Sequence, residues 1–340
     1  MRKMINKIIF VVNSIAATAL LLSYLLPYVS PKMFSLLSVL SLAVPILIVV
    51  NVLFLLYWII LLNKKGLLSF IVLMLGISHV SSLYKLGGTS TPEEDLEYDF
   101  SIMSYNVHSF NRFAWIDSET IPQDISRLVK EEKPDIFCAQ EFYNNPDIDF
   151  SQYKYKYENF KNDNGELALV IFSKFPIVNK GSLELKKTNN NIIFSDIATQ
   201  NDTIRVYNIH LQSHKISSQT NALAKADSQK LLKRIRISFE KQQEQTEMLI
   251  EHMKTSPYKN IIMGDFNNTA YSYVYKQIKS NGFQDAFKKA GSGFGKTFKF
   301  ELFPVRIDFI LVPNDYEVVS FKSFDEEFSD HYPIFSRIKF

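Results

Sequence analysis

One cysteine in 340 residues leaves no partner for an internal disulfide and no set of thiolates for a metal cluster. That residue, Cys138, lies in the apolar run DIFCA, where a buried small hydrophobe fits better than a catalytic thiol. Net charge is also sparse. The 38 basic and 35 acidic residues leave +3, too little by itself to indicate a polyanionic partner. No internal repeat is evident at a period of about 20–50 residues, which argues against a solenoid or a propeller. Charge is missing locally as well: residues 8–26 and 36–62 contain none.

Both uncharged runs meet the roughly 20 apolar residues that a bilayer-spanning helix needs. Residues 66–84 form a weaker third candidate, because His79 and several serines dilute its second half. A cleaved signal peptide accounts for the first run but not the others, and a core hairpin has little use for uncharged runs of this length. Arg2, Lys3 and Lys7 precede the first run, Lys64 and Lys65 follow the second, and only Lys32 lies between them. Positive charge marks the cytoplasmic side, so the N-terminus and the Lys64–Lys65 loop are expected inside. Three crossings then put everything after residue 85 outside the cytoplasm, and two would leave it inside. Three is the expectation, since 66–84 offers water no polar face. Tyr24, Tyr28, Tyr57, Trp58 and Tyr84 stand near the span ends, either as interfacial anchors or as packing residues. Residues 86–98, with two glycines, a proline and an acidic cluster, read as a linker. The expected organisation is a membrane anchor over 1–85, the linker, and a catalytic domain over 99–340.

Strand-like and helix-like segments interleave from Asp99 onward. FSIMSYNV and DIFCAQEF are apolar runs with polar tips. Between them TIPQDISRLVKEEKP reads as a helix with Ile121, Ile125, Leu128 and Val129 on one stripe and Pro134 ending it. IIFSDIAT and TIRVYNIHL flank the turn Gln200–Asn201–Asp202 as a hairpin. Residues 227–254 predict a long helix on the surface of a sheet, with Leu231, Leu232, Ile235, Met248, Leu249 and Met253 recurring. KNIIMGDF, RIDFILV and HYPIFSRIKF complete the strands. Two sheets packed face to face with helices outside would bury these runs.

Six polar segments beside these strands carry the chemistry: SYNVH, CAQEF, YNIHLQS, GDFNNT, RIDFIL and SDHYPIF. Glu141 ends an apolar run, so its carboxylate can sit in a strand-end cleft as a hard oxygen ligand, the kind Mg²⁺ prefers. In GDFNNT, Gly264 lets the chain turn, and Asp265 and Asn267 can point the same way. A carboxylate can orient or deprotonate water, and an amide can meet charge developing on a phosphoryl oxygen. His331 needs an acid to orient it, and Asp308 is the candidate because the adjacent Asp330 would face the other way on a strand. His210 offers a second imidazole against a phosphate, with Asn208 beside it as a substrate contact. Each motif alone has a bland alternative, such as a turn, a core histidine or a cap. Their recurrence at six strand ends favours phosphoester hydrolysis. His108, His214 and His252 lack such a context and read as surface or locally bonded residues.

In this order the motifs closely resemble the endonuclease/exonuclease/phosphatase superfamily of metal-dependent phosphoesterases over about Asp99 to Phe340. The apolar N-terminus is similar to that of membrane-anchored bacterial members of the Bacteroidetes type. The resemblance implies a four-layered α/β sandwich, two mixed sheets flanked by helices, with the site at one sheet edge. It implies Glu141 as principal Mg²⁺ ligand, or Mn²⁺ in its place, with Asn106 and Asp330 close to the metal. Asp265 would activate water, Asn267 and His210 would touch the scissile phosphate, and Asp308 would orient His331 to stabilise the pentacovalent state. His108 departs from the pattern, since several nuclease members carry an acid at that position.

Substrate choice stays open between nucleic acid and a membrane-derived phosphodiester, with small phosphomonoesters as a further class. An inactive, membrane-tethered binding module is the contrasting reading, which the presence of Glu141, Asp265 and His331 opposes. Lys230, Lys233, Arg234, Arg236 and Lys241 form a basic run, and Tyr153–Lys161 interleaves lysines with aromatics; a solvated helix face and an ordinary strand explain both equally. GSGFGKTFKF lacks the spacing of a nucleotide-binding loop and reads as a flexible substrate-side loop in which Lys296 touches phosphate. The expected partners are the bilayer and the phosphoester. The expected location is a bacterial inner membrane, multi-pass, with the catalytic domain on the periplasmic side.

Overall fold

The computed structural model describes residues 2–88, 95–161, 166–215, 227–301 and 303–340, so residues 89–94 of the expected linker lie outside the described residues. The N-terminal region forms helices α1 (Arg2–Ser23), α2 (Pro31–Val39), α3 (Val44–Ile60), α4 (Gly66–Leu75) and α5 (Ile77–Leu83). Two apolar helical stretches, Lys3–Tyr28 and Pro31–Ile60, have 26 and 30 residues and are long enough to cross a membrane. They correspond to the first two expected spans.

The third expected span, 66–84, is not a single rod. α4 and α5 are bent by 82° at Gly76. There the Tyr24 ring lies so close that a Cβ on residue 76 would overlap it, and the Tyr24 hydroxyl donates to the Val72 carbonyl at 3.0 Å. The 10 residues of α4 rise only about 15 Å. α5 turns away onto the following domain, where the Tyr271 hydroxyl donates to the His79 carbonyl at 3.2 Å and Lys288 Nζ to the Ser78 carbonyl at 2.8 Å.

Small and polar side chains join the helices internally. Asn13 Nδ2 donates to Ser69 Oγ at 2.6 Å, Ser69 Oγ to Asn51 Oδ1 at 3.2 Å, and Trp58 Nε1 to Asn13 Oδ1 at 2.8 Å. In hydrocarbon such interhelical bonds hold helices that hydrophobicity alone would not. Trp58 is therefore a fully buried packing residue and no interfacial anchor, whereas Tyr28 and Tyr84 are exposed. The outer faces expose Val11, Ile15, Leu53, Ile59, Phe70 and Met74, a surface suited to lipid. The two ends of the bundle differ. At one, Lys65 Nζ donates to the Asn6 carbonyl at 3.4 Å, joining the basic loop to the N-terminus. At the other, Ser30, Lys32 and Ser35 bond to the domain that follows.

That domain has two six-stranded mixed sheets. The first contains β1 (Phe100–Asn106), β2 (Ile136–Phe142), β3 (Tyr155–Phe160) and β4 (Ala168–Ser173), together with the late strands β11 (Glu317–Ser323) and β12 (Ile334–Lys339), in the order β11-β12-β1-β2-β4-β3. The second contains β5 (Ile177–Ser182), β6 (Asn191–Ala198), β7 (Thr203–His210), β8 (Lys259–Asp265), β9 (Phe283–Asp285) and β10 (Asp308–Pro313), in the order β5-β6-β7-β8-β10-β9. The pairs β1–β2 and β7–β8 are parallel, and the others are antiparallel.

Strands buried on both faces sort their residues by period 2. Phe100, Ile102, Cys138, Val206, Ile261 and Met263 fill the space between the sheets. Met103, Tyr105 and Phe137 face outward, under the Ile125–Val129 stripe of α6 (Ile121–Glu132). On the other outer face Tyr207, Ile262 and Phe309 meet Leu249 and Met253 of α7 (Ser228–Met253) and Val274 and Ile278 of α8 (Tyr273–Lys279). Cys138 is the buried small hydrophobe its sequence context implies. The stripe expected on α7 is only partly right: Ile235, Leu249 and Met253 are buried, but Leu232 and Met248 are exposed. Glutamines take the middle of the buried face, where Gln242 donates to loop carbonyls, Gln245 accepts from the Gln212 N–H and Gln243 accepts from Ser30 and the Lys32 N–H. Residues 286–290 (α9) cover β9 and β10.

Candidate active site

Parallel and antiparallel pairing brings distant polar tips to one edge. His210 ends β7 beside Asp265 at the end of β8, and Asp308 opens β10 opposite Asp265. Asn106 ends β1 on the facing sheet, with Glu141 near the end of β2. Backbone exceptions aim these groups. Glu141 has φ 50°, at an irregularity in the β2–β4 register, and Asn267 has φ 49°. Non-glycine residues held in the left-handed region cost energy and concentrate at functional sites. Gly264 makes no turn. It lies inside β8 at φ 138°, where a Cβ would sit 2.1 Å from the Ile209 carbonyl oxygen, so glycine lets β8 approach β7.

Asp265 is the hub. Its Oδ1 accepts from the Asn267 backbone N–H at 2.7 Å, and its Oδ2 accepts from Asn267 Nδ2 at 3.1 Å and Asn106 Nδ2 at 3.2 Å. Two imidazoles approach the same oxygen, His210 Nε2 at 3.5 Å and His331 Nε2 at 3.7 Å. Glu141 Oε1 lies 3.3 Å from Asn106 Nδ2 and 3.7 Å from His210 Nε2. Behind His331, Nδ1 meets Asp308 Oδ2 at 2.9 Å, while Asp308 Oδ1 is buried without a partner among the described residues. Asp330 pairs with His108 Nδ1 at 2.9 Å, and the His108 ring stacks on Trp115 at 3.7 Å.

Burial and neighbours shift these groups unequally. Burial lifts the Asp265 carboxyl to about 6, with Asp308 adding and His331 and His210 opposing. Burial disfavours a charged His331, but Asp308 and Asp265 outweigh it and hold that imidazole well above its ordinary value. Burial would raise Asp330, yet the hydrogen bond from His108 and the charge of His331 bring it below the usual carboxylate range.

Eight of the ten expected site residues thus converge: Asn106, Glu141, His210, Asp265, Asn267, Asp308, Asp330 and His331. Two do not. Asn208 is fully buried as a strut between the sheets, donating to the Ala139 and Val170 carbonyls at 2.9 Å and accepting from Gln140 at 2.7 Å. With its amide consumed, it has nothing left for a substrate. Lys296 Nζ donates to the Tyr332 hydroxyl at 2.6 Å and lies over that ring, away from the cleft. Of the basic run on α7, Arg234 donates to the Lys215 carbonyl, Arg236 to Ser35 Oγ and Lys241 to the Lys187 carbonyl, while Lys230, beside Asp227, and Lys233 are exposed.

The cleft, a cavity of about 310 Å³, adds residues that sequence reasoning missed. His108 and His214 line it. Burial pulls His214 down to about 3, and among the described residues neither of its nitrogens has a partner. Gln242 of α7 holds the GDFNNT loop from behind, donating to the Gln212 and Asn267 carbonyls at 2.7 and 3.1 Å and accepting from Asn268 at 2.7 Å.

The donor set suits a hard divalent cation. Among the described residues no lysine or arginine pairs with Glu141, Asp265, Asp308 or Asp330; their ionic partners are histidines. Four carboxyl groups so placed need a counter-charge. Donor atoms of Asp265, Asp308 and His331 lie within 4.8 Å of one another. The bond between Asp308 and His331 already occupies two of them, which makes that pair better suited to orientation, and Glu141 and Asp330 to ligation. Asn106 presents its nitrogen to the carboxylates, and a ligand role requires its amide turned by half a rotation.

The sequence pattern of the Endonuclease/Exonuclease/phosphatase family matches residues 103–331, and that of a domain of unknown function (DUF8431) matches residues 6–83. No curated protein matches the sequence. Among solved structures, the endonuclease/exonuclease/phosphatase from Bacteroides vulgatus superposes with a TM-score of 0.57 at 19% identity, covering 72% of this chain and 99% of that one. Danio rerio TDP2 complexed with a single-strand DNA product gives 0.51 at 15% identity, covering 71% and 99%. The mannosyl-6-phosphatase of Bacteroides thetaiotaomicron gives 0.50 at 19% identity, covering 71% and 100%. At these identities the likeness is one of fold.

Proposed function

The chain belongs to the endonuclease/exonuclease/phosphatase family, and from that premise we propose that it is a membrane-anchored hydrolase that cleaves a phosphoester by attack of water, assisted by Mg²⁺ or Mn²⁺. The observation that carries this reading is the convergence of amides, imidazoles and carboxylates on Asp265 with no lysine or arginine paired to the acids among the described residues. Glu141, Asp330 and Asn106 would hold the cation, which when bound polarises phosphoryl oxygens and steadies water. Asp265, lifted to about 6, is a stronger base than an ordinary aspartate and takes the proton of the attacking water. His210 faces the phosphoryl oxygens, and Asn267 meets them once its Nδ2 gives up the Leu211 carbonyl, to which it donates at 3.0 Å. His331, kept protonated and oriented by Asp308, offsets the charge that develops as the water oxygen bonds to phosphorus and the bond to the leaving oxygen breaks, that oxygen taking its proton from solvent.

The units of the reading are an anchor over 1–85, a linker over 86–98 and a catalytic domain over 99–340. The bundle's two ends support a compartment. Arg2, Lys3, Lys7, Lys64 and Lys65 gather at one end, and the catalytic domain is bonded to the other through Ser30, Lys32 and Ser35. With the basic end cytoplasmic, and the bent pair α4–α5 returning the chain across as the third span, the domain lies on the periplasmic side of a bacterial inner membrane. Protease added to intact spheroplasts should digest a tag placed after Phe340; protection of the tag beside a digested periplasmic control would reverse the orientation.

The enzymatic reading is tested on the detergent-solubilised full chain with bis(p-nitrophenyl) phosphate. Hydrolysis should vanish in excess EDTA and return with Mg²⁺ or Mn²⁺. An undiminished rate in EDTA, or no hydrolysis with either cation, would reject it.

A further inference from the structure

The cleft has two unlike parts. Glu141, Asp265, His210 and His331 form one part of its lining, and an apolar part is made by Phe300, Phe303 and Val305 with Leu42 of the N-terminal helices, Phe298 joining the two through its ring contact with His331 at 5.0 Å. Leu42 belongs to the Leu40–Ala43 turn that continues α2 into α3, inside the apolar stretch Pro31–Ile60. A membrane segment thus contributes directly to the wall of the candidate active site.

Polar bonds fix that placement. Lys32 Nζ pairs with Glu247 at 2.5 Å, Ser30 Oγ donates to Gln243 at 2.9 Å and Arg236 Nε donates to Ser35 Oγ at 2.9 Å. On the same approach Met33, Phe34, Leu36, Leu37 and Leu40 are exposed. The same segment that sends Leu42 into the cleft wall thus presents exposed apolar side chains just before it.

We propose that the substrate is a phosphoester of a membrane lipid, its phosphorus at the Asp265–Glu141 end and its hydrocarbon chain along Leu42, Phe300 and Phe303. This rests on the hydrolase reading above and deepens it. A nucleic acid strand would need a basic track. Lys215 is the sole lysine or arginine among the described residues lining the cleft, and Arg236 and Lys241 of α7 bond to Ser35 and to the Lys187 carbonyl. Aromatic rings can stack bases as well as pack chains, but Leu42 offers a base no stacking surface. An aliphatic wall gains from each methylene it covers.

Two synthetic esters that differ only in chain length, methyl and hexadecyl p-nitrophenyl phosphate, isolate this contribution. The full-length protein is assayed with Mg²⁺ in one detergent, and the quantity read is the ratio of kcat/KM for the long ester to that for the short one. That ratio is independent of the fraction of active protein, so partial misfolding of a variant does not obscure it. The ratio should be roughly 100-fold in the wild type and fall by about tenfold or more in Leu42→Asp and in Phe300→Asp. A wild-type ratio near unity, a ratio unmoved by both variants, or a single-stranded oligonucleotide cleaved with higher kcat/KM than the long ester would overturn the proposal while leaving the hydrolase reading intact. Absence of hydrolysis of either ester would overturn both.

Discussion

The N-terminal helices and the domain that follows each bury a polar cluster, and the two are built on different terms. In the anchor, Asn13, Asn51, Ser69 and Trp58 are neutral, and each donor meets an acceptor between helices. In the catalytic domain, Asp265, Asp308 and His331 are ionisable and equally buried, yet one Asp308 oxygen has no partner and the acids lack a lysine or arginine among the described residues. A closed neutral network needs nothing from outside and serves as glue. An open charged one is expensive to bury, and it makes sense where a cation and a phosphate complete it.

Substitutions should separate the clusters by what they change. The largest effect on rate is expected from Asp265→Asn, a loss on the order of 10³-fold. Its melting temperature at pH 7 should hold or rise, because a carboxyl lifted to about 6 makes the ionised form unfavourable in the fold. A wild-type rate would place water activation elsewhere. Asp308→Ala and His331→Ala should each cost about 10²-fold, and the double variant much less than the product of the two. Independent losses in log rate would show that the pair shares no role.

Gln242→Ala sits between the extremes. It removes the support behind Asn267 and should cost about 1–3 kcal/mol of stability together with a measurable drop in kcat. A change in stability without one in kcat would limit Gln242 to structure. Smallest in rate is Asn13→Leu, which should leave kcat within about twofold while weakening the helix bundle by about 0.6–1.7 kcal/mol, read from detergent melts. A large loss of activity there would mean that the two clusters communicate.

The strand-end motifs were legible because period-2 apolar runs show where a strand stops, and the polar residue at that point has no core to enter. Eight of the expected site residues came from that signal. Asn208 has the same local pattern, but its amide is spent on carbonyls of the opposite sheet, a contact invisible along one strand. Lys296 was misplaced because its partner Tyr332 is 36 residues distant. The first two spans needed only hydropathy. The bend at Gly76 depends on Tyr24 packing from another helix, and the approach of Leu42 to the cleft depends on how the anchor docks. His108 left a faint trace as the histidine that breaks the family's acidic pattern, and its stack on Trp115 lies entirely in the third dimension.

The claim that the open cluster awaits a divalent cation is tested most directly by the melting temperature of the detergent-solubilised full chain across a Mg²⁺ titration. The wild type should gain stability saturably, by about 2.7 kcal/mol at a hundredfold excess over Kd. Glu141→Gln, which keeps the size of the side chain and removes its charge, should lose most of that gain. No Mg²⁺ dependence in the wild type, or an equal gain in Glu141→Gln, would contradict the account.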